Sequence, residues 1–340
     1  MNMKETKRKR ILTGDRPTGP LHLGHFVGSL QSRVKLQNSC EQFIMLADTQ
    51  ALTDNADNPG KIRKAILQVA IDYLSIGIDP KRTTILIQSS IPELAELNLY
   101  FLNLVTLARL QRNPTIKNEM KQKGYGANVP VGFLTYPISQ AADITIFKAD
   151  LVPVGDDQMP ILEQVNEIVR KFNRTYGKGH KILKECNGFF SKTSRLPGID
   201  GKGKASKSLN NAIYLSDSKK EVTRKVMNMY TDPKHIRIQD PGRIKGNIVF
   251  AYLDAFDNNL EGLEKLKKLY KKGGLGDVEV KKRLIKILEL LLEPIRAKRK
   301  ELEKNPEKIM GILEQGTKKA RKVAQETMEE VRKAMQINYF

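Results

Sequence analysis

Short runs of apolar, β-forming residues alternate with amphipathic helical stretches through the first half of the chain, and this alternation narrows the possible folds more than any other feature. The runs are KRILTG at 9–14, QFIMLAD at 42–48, TTILIQS at 83–89 and ADITIFKADLVPVG at 142–155. Between two of them, Ile62, Ala65, Ile66, Val69, Ala70 and Tyr73 recur at helical spacing, ahead of a stop at GIDP, 77–80. Near-continuous apolar strands separated by helices predict an α/β fold with a parallel sheet covered on both faces. In such sheets ligands bind outside the carboxyl ends of the strands, so the residues that follow each strand carry the chemistry.

From 188 to 216, GFFSKTSRLPGIDGKGKASKSLNN and its neighbours concentrate Gly, Ser, Lys and Asn, and we expect a mobile loop with no regular element there. Long helices follow. One face carries Val280, Leu284, Ile287, Leu288, Leu291, Leu292 and Ile295 and is expected to be interrupted near Pro294; a second carries Ala320, Val323, Ala324, Thr327, Met328, Val331 and Met335. We therefore expect a catalytic domain over 1–215 and a mainly α-helical C-terminal domain over 216–340. Lys and Arg exceed Asp and Glu to give a formal net charge of +21, which favours a polyanionic partner through long-range steering. Cys40 and Cys186 lie in no C-x-x-C pattern, which argues against a disulfide framework or zinc cage and fits a reduced cytoplasmic setting. No apolar stretch approaches the roughly 20 residues of a membrane span, and MNMKETKRKR lacks the apolar region of a secretory signal.

Directly after the first strand comes TGDRPTGP, and then LHLGH opens a helix. Gly14, Gly19 and Gly24 allow backbone and ligand to approach closely, and the helix start offers unpaired N–H groups to an anion. The spacing matches neither G-x-G-x-x-G nor a G-K-[ST] P-loop, so a dinucleotide dehydrogenase and an ordinary P-loop enzyme are both unsupported. His22 and His25, three apart, suit hydrogen bonding to one phosphate; two histidines at that spacing also suit capping and packing of a helix.

HLGH behind PTGPL resembles the HIGH signature of class I aminoacyl-tRNA synthetases, and the P-T-G lead-in resembles the tryptophanyl members. KASKS at 204–208 resembles the KMSKS loop of the same class, with Ala205 in place of Met. Taken alone, KASKS is also what a solvated, lysine-rich loop looks like; its place after HLGH and at the domain bridge gives it meaning. The resemblance implies a Rossmann-like nucleotide-binding domain that joins an amino-acid carboxylate to the α-phosphorus of ATP and expels pyrophosphate. His22, His25, Lys204 and Lys207 are then the catalytic residues. Asp15, Arg16, Pro17, Thr18, Gly24, His25, Gly155, Asp157, Lys204, Ser206, Lys207 and Ser208 are the implied ATP contacts. Mg²⁺ is expected with ATP, held by phosphate oxygens and water, and we expect no protein metal ligand.

LTYPISQAADI at 134–144 and VPVGDDQ at 152–158 resemble the tryptophanyl members closely. The resemblance implies a tryptophan pocket made of Tyr136, Gln140, Asp143, Ile144, Val152, Val154 and Gln158, with Asp143 accepting the indole N–H. Many bacterial members carry Met where Gln140 stands. ADTQALT at 47–53 matches the end of the family's second strand, which puts Asp48 and Gln50 near the substrate. The implied partners are L-tryptophan, ATP and tRNA(Trp), with the C-terminal helices reading the anticodon and two copies forming a homodimer. Tyrosyl-tRNA synthetases share the Tyr-Pro, Gln and Asp pattern, and a synthetase-like RNA binder that charges nothing is a third possibility. PTGPLHLGH, VPVGDDQ and ILEQGTKKARKVAQETMEEVRKAM favour tryptophan, and the intact histidines and lysines favour an enzyme.

Overall fold

The computed structural model describes residues 8–126, 128–155, 158–190, 196–207 and 209–339. Five strands, β1 (Arg10–Asp15), β2 (Glu41–Leu46), β3 (Thr83–Ile87), β4 (Leu151–Val154) and β5 (Asn187–Phe190), form one sheet in the order β3-β2-β1-β4-β5, and every pair is parallel. The α-helices of the first part are α1 (Leu23–His25), α2 (Gln31–Leu36), α3 (Asp48–Leu52), α4 (Pro59–Ser75), α5 (Pro92–Leu102), α6 (Leu107–Arg112), α7 (Pro114–Gln122), α8 (Val131–Ile146) and α9 (Met159–Tyr176). A π-helical turn, Phe26–Leu30, joins α1 to α2. After β5 come α10 (Lys219–Met227), α11 (Ile248–Phe256), α12 (Leu260–Lys272), α13 (Asp277–Leu302) and α14 (Pro306–Met335). None of the described helices is long and apolar enough to cross a membrane.

The strand order reverses at β1. Its ladder to β2 runs through six residue pairs, whereas its ladder to β4 consists of Ile11 opposite Leu151. The carboxyl ends of β1 and β4 are therefore free of each other, and a crevice opens where the topology rule places a ligand.

Alternate residues of the central strands feed two cores. Ile44, Leu46 and Ile85 face a cluster that also takes in Leu21, Leu23, Val69, Tyr73, Val226, Leu253, Leu284 and Leu288. Phe43, Met45 and Leu86 face the other, with Leu97, Phe101, Ala141, Val165, Phe172, Ala324 and Met328. The helices past residue 216 thus pack on both faces, α13 against α4 and α14 against β3.

Three expectations need correction. The run at 142–155 is not one extended segment: residues 142–146 complete α8, a turn follows, and the strand is Leu151–Val154. Ala141 to Ile146 are buried all round, so the helix shows no polar face, and periodicity cannot tell it from a buried strand. Pro294 does not interrupt its helix, for α13 continues from Asp277 to Leu302. The carbonyl deprived of its partner belongs to Leu290, which is 69% exposed and open to water. The segment from 188 is not wholly irregular, since Asn187–Phe190 forms the edge strand β5.

Candidate active site

A cavity of about 1550 Å³ occupies the crevice, lined at one side by the β1 turn and HLGH and at the other by α8 and β4, with Lys204, Ala205, Ser206 and Lys207 also lining it. HLGH is tied by backbone bonds to the segment that follows KASKS. Leu23 N–H donates to the Ile213 carbonyl at 2.9 Å, Leu215 N–H donates to the Leu21 carbonyl at 2.9 Å, and His22 bridges Tyr214. The chain leaving KASKS is therefore held beside HLGH, about 190 residues from it in sequence.

His22 caps α1. Its Nδ1 accepts from Gly24 N–H at 3.1 Å, and His25 Nδ1 accepts from His22 N–H at 3.3 Å, with the ring centroids 3.9 Å apart. Burial, the neighbouring ring and Lys207 push His22 down to about 3; burial, outweighing the pull of Asp15, pushes His25 down to about 4. Both rings are neutral at physiological pH. Because each Nδ1 accepts a backbone hydrogen bond, each proton sits on Nε2, and both rings offer an N–H donor. Capping, one of the two roles the sequence left open, uses Nδ1 of each ring and leaves Nε2 available to a ligand. Gly24 is required here, since a Cβ would lie 2.8 Å from the His22 ring; the Ala205 methyl covers the same spot.

Lys207 closes from the other side and donates to the Gly19 carbonyl at 2.6 Å, while burial lowers its pKa. Lys204 and Ser206 also line the cavity. Their loop is shaped by Asn211, a buried residue that sequence reasoning passed over. Its Oδ1 accepts from Ser206 N–H at 2.8 Å, and its Nδ2 donates to Asp200 at 3.0 Å and to the Lys204 carbonyl at 3.4 Å. Gly201 and Gly203 take positive φ of 73° and 68° in the turn between.

Asp15, Arg16, Thr18 and Gly155 line the cavity, whereas Pro17 is buried beside it; Asp157 and Ser208 lie outside the described residues. The Asp15 carboxylate has a structural role as well. Oδ2 accepts from Arg33 at 2.6 Å and from the Tyr73 hydroxyl at 2.7 Å. Burial alone would raise Asp15, but the Arg33 guanidinium overcomes it and holds the group well below the usual carboxylate range. Arg16 pairs with Asp54 at 2.8 Å, as does Lys123. HLGH is also anchored from the C-terminal helices: Leu21 N–H donates to Asp72 Oδ2 at 2.8 Å, and Asp72 is paired with Arg299 of α13. Burial outweighs that pairing and lifts Asp72 to about 6.

The residues expected to hold the amino acid converge as a group. Tyr136, Gln140, Asp143 and Ile144 on α8, Val152 and Val154 on β4, and Gln158 beyond it all line the cavity, joined by Phe133, Met45 and Glu119. Asp143 is a buried carboxyl in this part of the wall. Gln88 Nε2 donates to both of its oxygens, at 2.8 and 2.9 Å, and Gln50 Nε2 donates to Oδ2 at 3.0 Å. Burial pushes the carboxyl up to about 7, against the restraining hydrogen bond from Gln88. The Tyr136 hydroxyl lacks a well-formed hydrogen bond among the described residues; burial and nearby Glu119 push it upward. Gln50 faces the cavity, whereas Asp48 does not line it and instead binds Ser89 through both carboxylate oxygens. Gln88 stands just past β3, at a carboxyl strand end, and that position was the available signal for it.

The sequence pattern of the family described as tRNA synthetases class I (W and Y) matches residues 3–293. The chain is 58% identical over 334 residues to the tryptophan–tRNA ligase of Clostridium longisporum, covering 97% of each. It is 56% identical over 337 residues to that of Streptococcus mutans, covering 97% of this chain and 98% of the relative. The structure of Campylobacter jejuni tryptophanyl-tRNA synthetase complexed with ADP and tryptophan superposes with a TM-score of 0.84 at 30% identity, over 96% of this chain and 99% of that one. With both signature segments in place around one crevice, the chain belongs to the class I tRNA synthetases of the tryptophan and tyrosine family.

Proposed function

We propose that this chain is an ATP-dependent ligase that activates L-tryptophan to tryptophanyl-adenylate, releases pyrophosphate and transfers the amino acid to tRNA(Trp). Asp143 carries the choice of amino acid. It is a buried carboxylate at the cavity wall whose oxygens already accept three amide hydrogen bonds, which leaves acceptor capacity for one ring N–H. A competitor without that N–H leaves the acceptor unpaired, and such a site rejects it strongly.

The chemistry assigned to the other end is positioning and charge neutralisation. The tryptophan carboxylate attacks the α-phosphorus while the Nε2–H groups of His22 and His25 donate to the phosphoryl oxygens. Lys207 and Lys204 neutralise charge on the departing pyrophosphate. Lys207 already reaches across the cavity to the Gly19 carbonyl of the turn that follows β1. Arg16, Thr18, Gly24, Gly155 and Ser206 complete the proposed nucleotide contacts, and Tyr136 and Gln158 orient the α-amino group. Mg²⁺ would accompany ATP, held by phosphate oxygens and water, and would supply further charge neutralisation there.

The basic helices from 216 onward are proposed to hold tRNA through salt-dependent phosphate contacts and to read the anticodon, in a cytoplasmic homodimer. Amino-acid-dependent ATP–pyrophosphate exchange tests the activity. Exchange with tryptophan is expected; exchange with tyrosine alone, or with neither, overturns the proposal.

A further inference from the structure

We propose that Gln88, which does not line the cavity, is the positioning residue that fixes Asp143 as a hydrogen-bond acceptor and thereby sets the preference for a substrate ring bearing N–H. This inference rests on the proposed tryptophan activity and names a determinant of its specificity. Its basis is a proton inventory. Gln88 is buried, and its Oε1 accepts from the Thr49 hydroxyl at 2.5 Å and from Gln50 N–H at 3.2 Å. A backbone N–H can only donate, so the carbonyl end of Gln88 must face Gln50 and the NH₂ end must face Asp143. That NH₂ group spans both carboxylate oxygens at 2.8 and 2.9 Å.

Gln50 takes the complementary orientation. Its Nε2 donates to Asp143 Oδ2 at 3.0 Å, and its Oε1 accepts from Gln140 Nε2 at 3.5 Å. The amides around Asp143 thus point donors inward. Burial drives the carboxyl toward its protonated form, and the Gln88 hydrogen bond opposes it. A protonated Asp143 would present a hydroxyl where the substrate N–H needs an acceptor. Without Gln88, Gln50 still holds Oδ2, but Oδ1 loses the donor that fixes the plane of the carboxyl.

The test compares ATP–pyrophosphate exchange with tryptophan and with 3-(benzothiophen-3-yl)alanine, which has sulfur in place of the ring N–H. For Gln88→Met, kcat/KM for tryptophan should fall about tenfold or more, mostly through KM, because a hydrogen bond to a charged group is lost. The value for the sulfur analogue should hardly change, so the ratio between the two collapses. Thr49→Val, which removes one of the two groups orienting Gln88, should lower the ratio in the same direction by less. Equal losses on both substrates would assign Gln88 a structural role and overturn the proposal. So would an unchanged ratio in either variant, and Thr49→Val decides the matter if Gln88→Met does not fold. Absence of tryptophan-dependent exchange in the unaltered protein would instead overturn the activity itself.

Discussion

Replacing Asp143 with Asn should make the protein more stable at alkaline pH while disabling it. Burial raises the Asp143 pKa from 3.8 to about 7. The folded protein therefore binds more protons than the unfolded chain between those values, and stability falls as pH rises through that window. Above pH 7 the difference of about three units corresponds to ~4 kcal/mol of destabilisation. Asn removes this but sets an amide N–H against the donors of Gln88 or Gln50, a mismatch of about 1–3 kcal/mol. The net expectation is a gain of about 1–3 kcal/mol at pH 8. The mismatch does not depend on pH, so the difference between variant and parent is the sharper quantity: it should grow by about 2–3 kcal/mol from pH 5 to pH 8. Urea unfolding at those two pH values measures it. Tryptophan-dependent exchange should meanwhile drop about 100-fold or more, since the pocket loses its anionic acceptor. Parallel stability profiles for the two proteins, or undiminished exchange in the variant, would refute the reasoning.

Lys207→Ala should reduce the rate of adenylate formation about 100-fold with little change in tryptophan affinity, measured by single-turnover kinetics and equilibrium binding. The depressed pKa values of His22 and His25 mean the unfolded chain binds more protons below pH 6.5, so stability is fully present above that value and is lost as pH falls toward 4 and 3. Each buried neutral ring accounts for about 2 kcal/mol of loss at pH 5, and His25→Gln should remove its share in urea unfolding at pH 5 against pH 7. Arg299→Met, which leaves Asp72 buried without its charged partner, should cost about 3–5 kcal/mol in the same assay.

The strand-helix alternation was enough to anticipate a parallel sheet with its site at the carboxyl strand ends, because fully buried strands leave an apolar signature that depends on neighbours in sequence alone. Where burial was complete on all sides the same signature misled, as at 142–146, where a helix without a polar face resembled a strand. Residues that reach the cavity from contiguous motifs were legible: His22, His25, Lys204 and Lys207, and the lining residues from Tyr136 to Gln158. Residues that act through long-range contacts were not. Gln88 and Arg33 work by hydrogen bonding to partners 55 and 18 positions away, and Asn211, though just past KASKS, shows its role only once the loop is folded around its amide. Which nitrogen of each histidine ring the backbone occupies was likewise hidden, since it depends on the local fold.

The central claim is that this cavity selects tryptophan and delivers it to tRNA. Unfractionated tRNA incubated with the protein, ATP, Mg²⁺ and all twenty amino acids, followed by mass spectrometry of the aminoacylated terminal adenosine, tests that claim directly. Tryptophan esterified to tRNA(Trp) is the predicted product; a tyrosyl ester, or no ester at all, would contradict it.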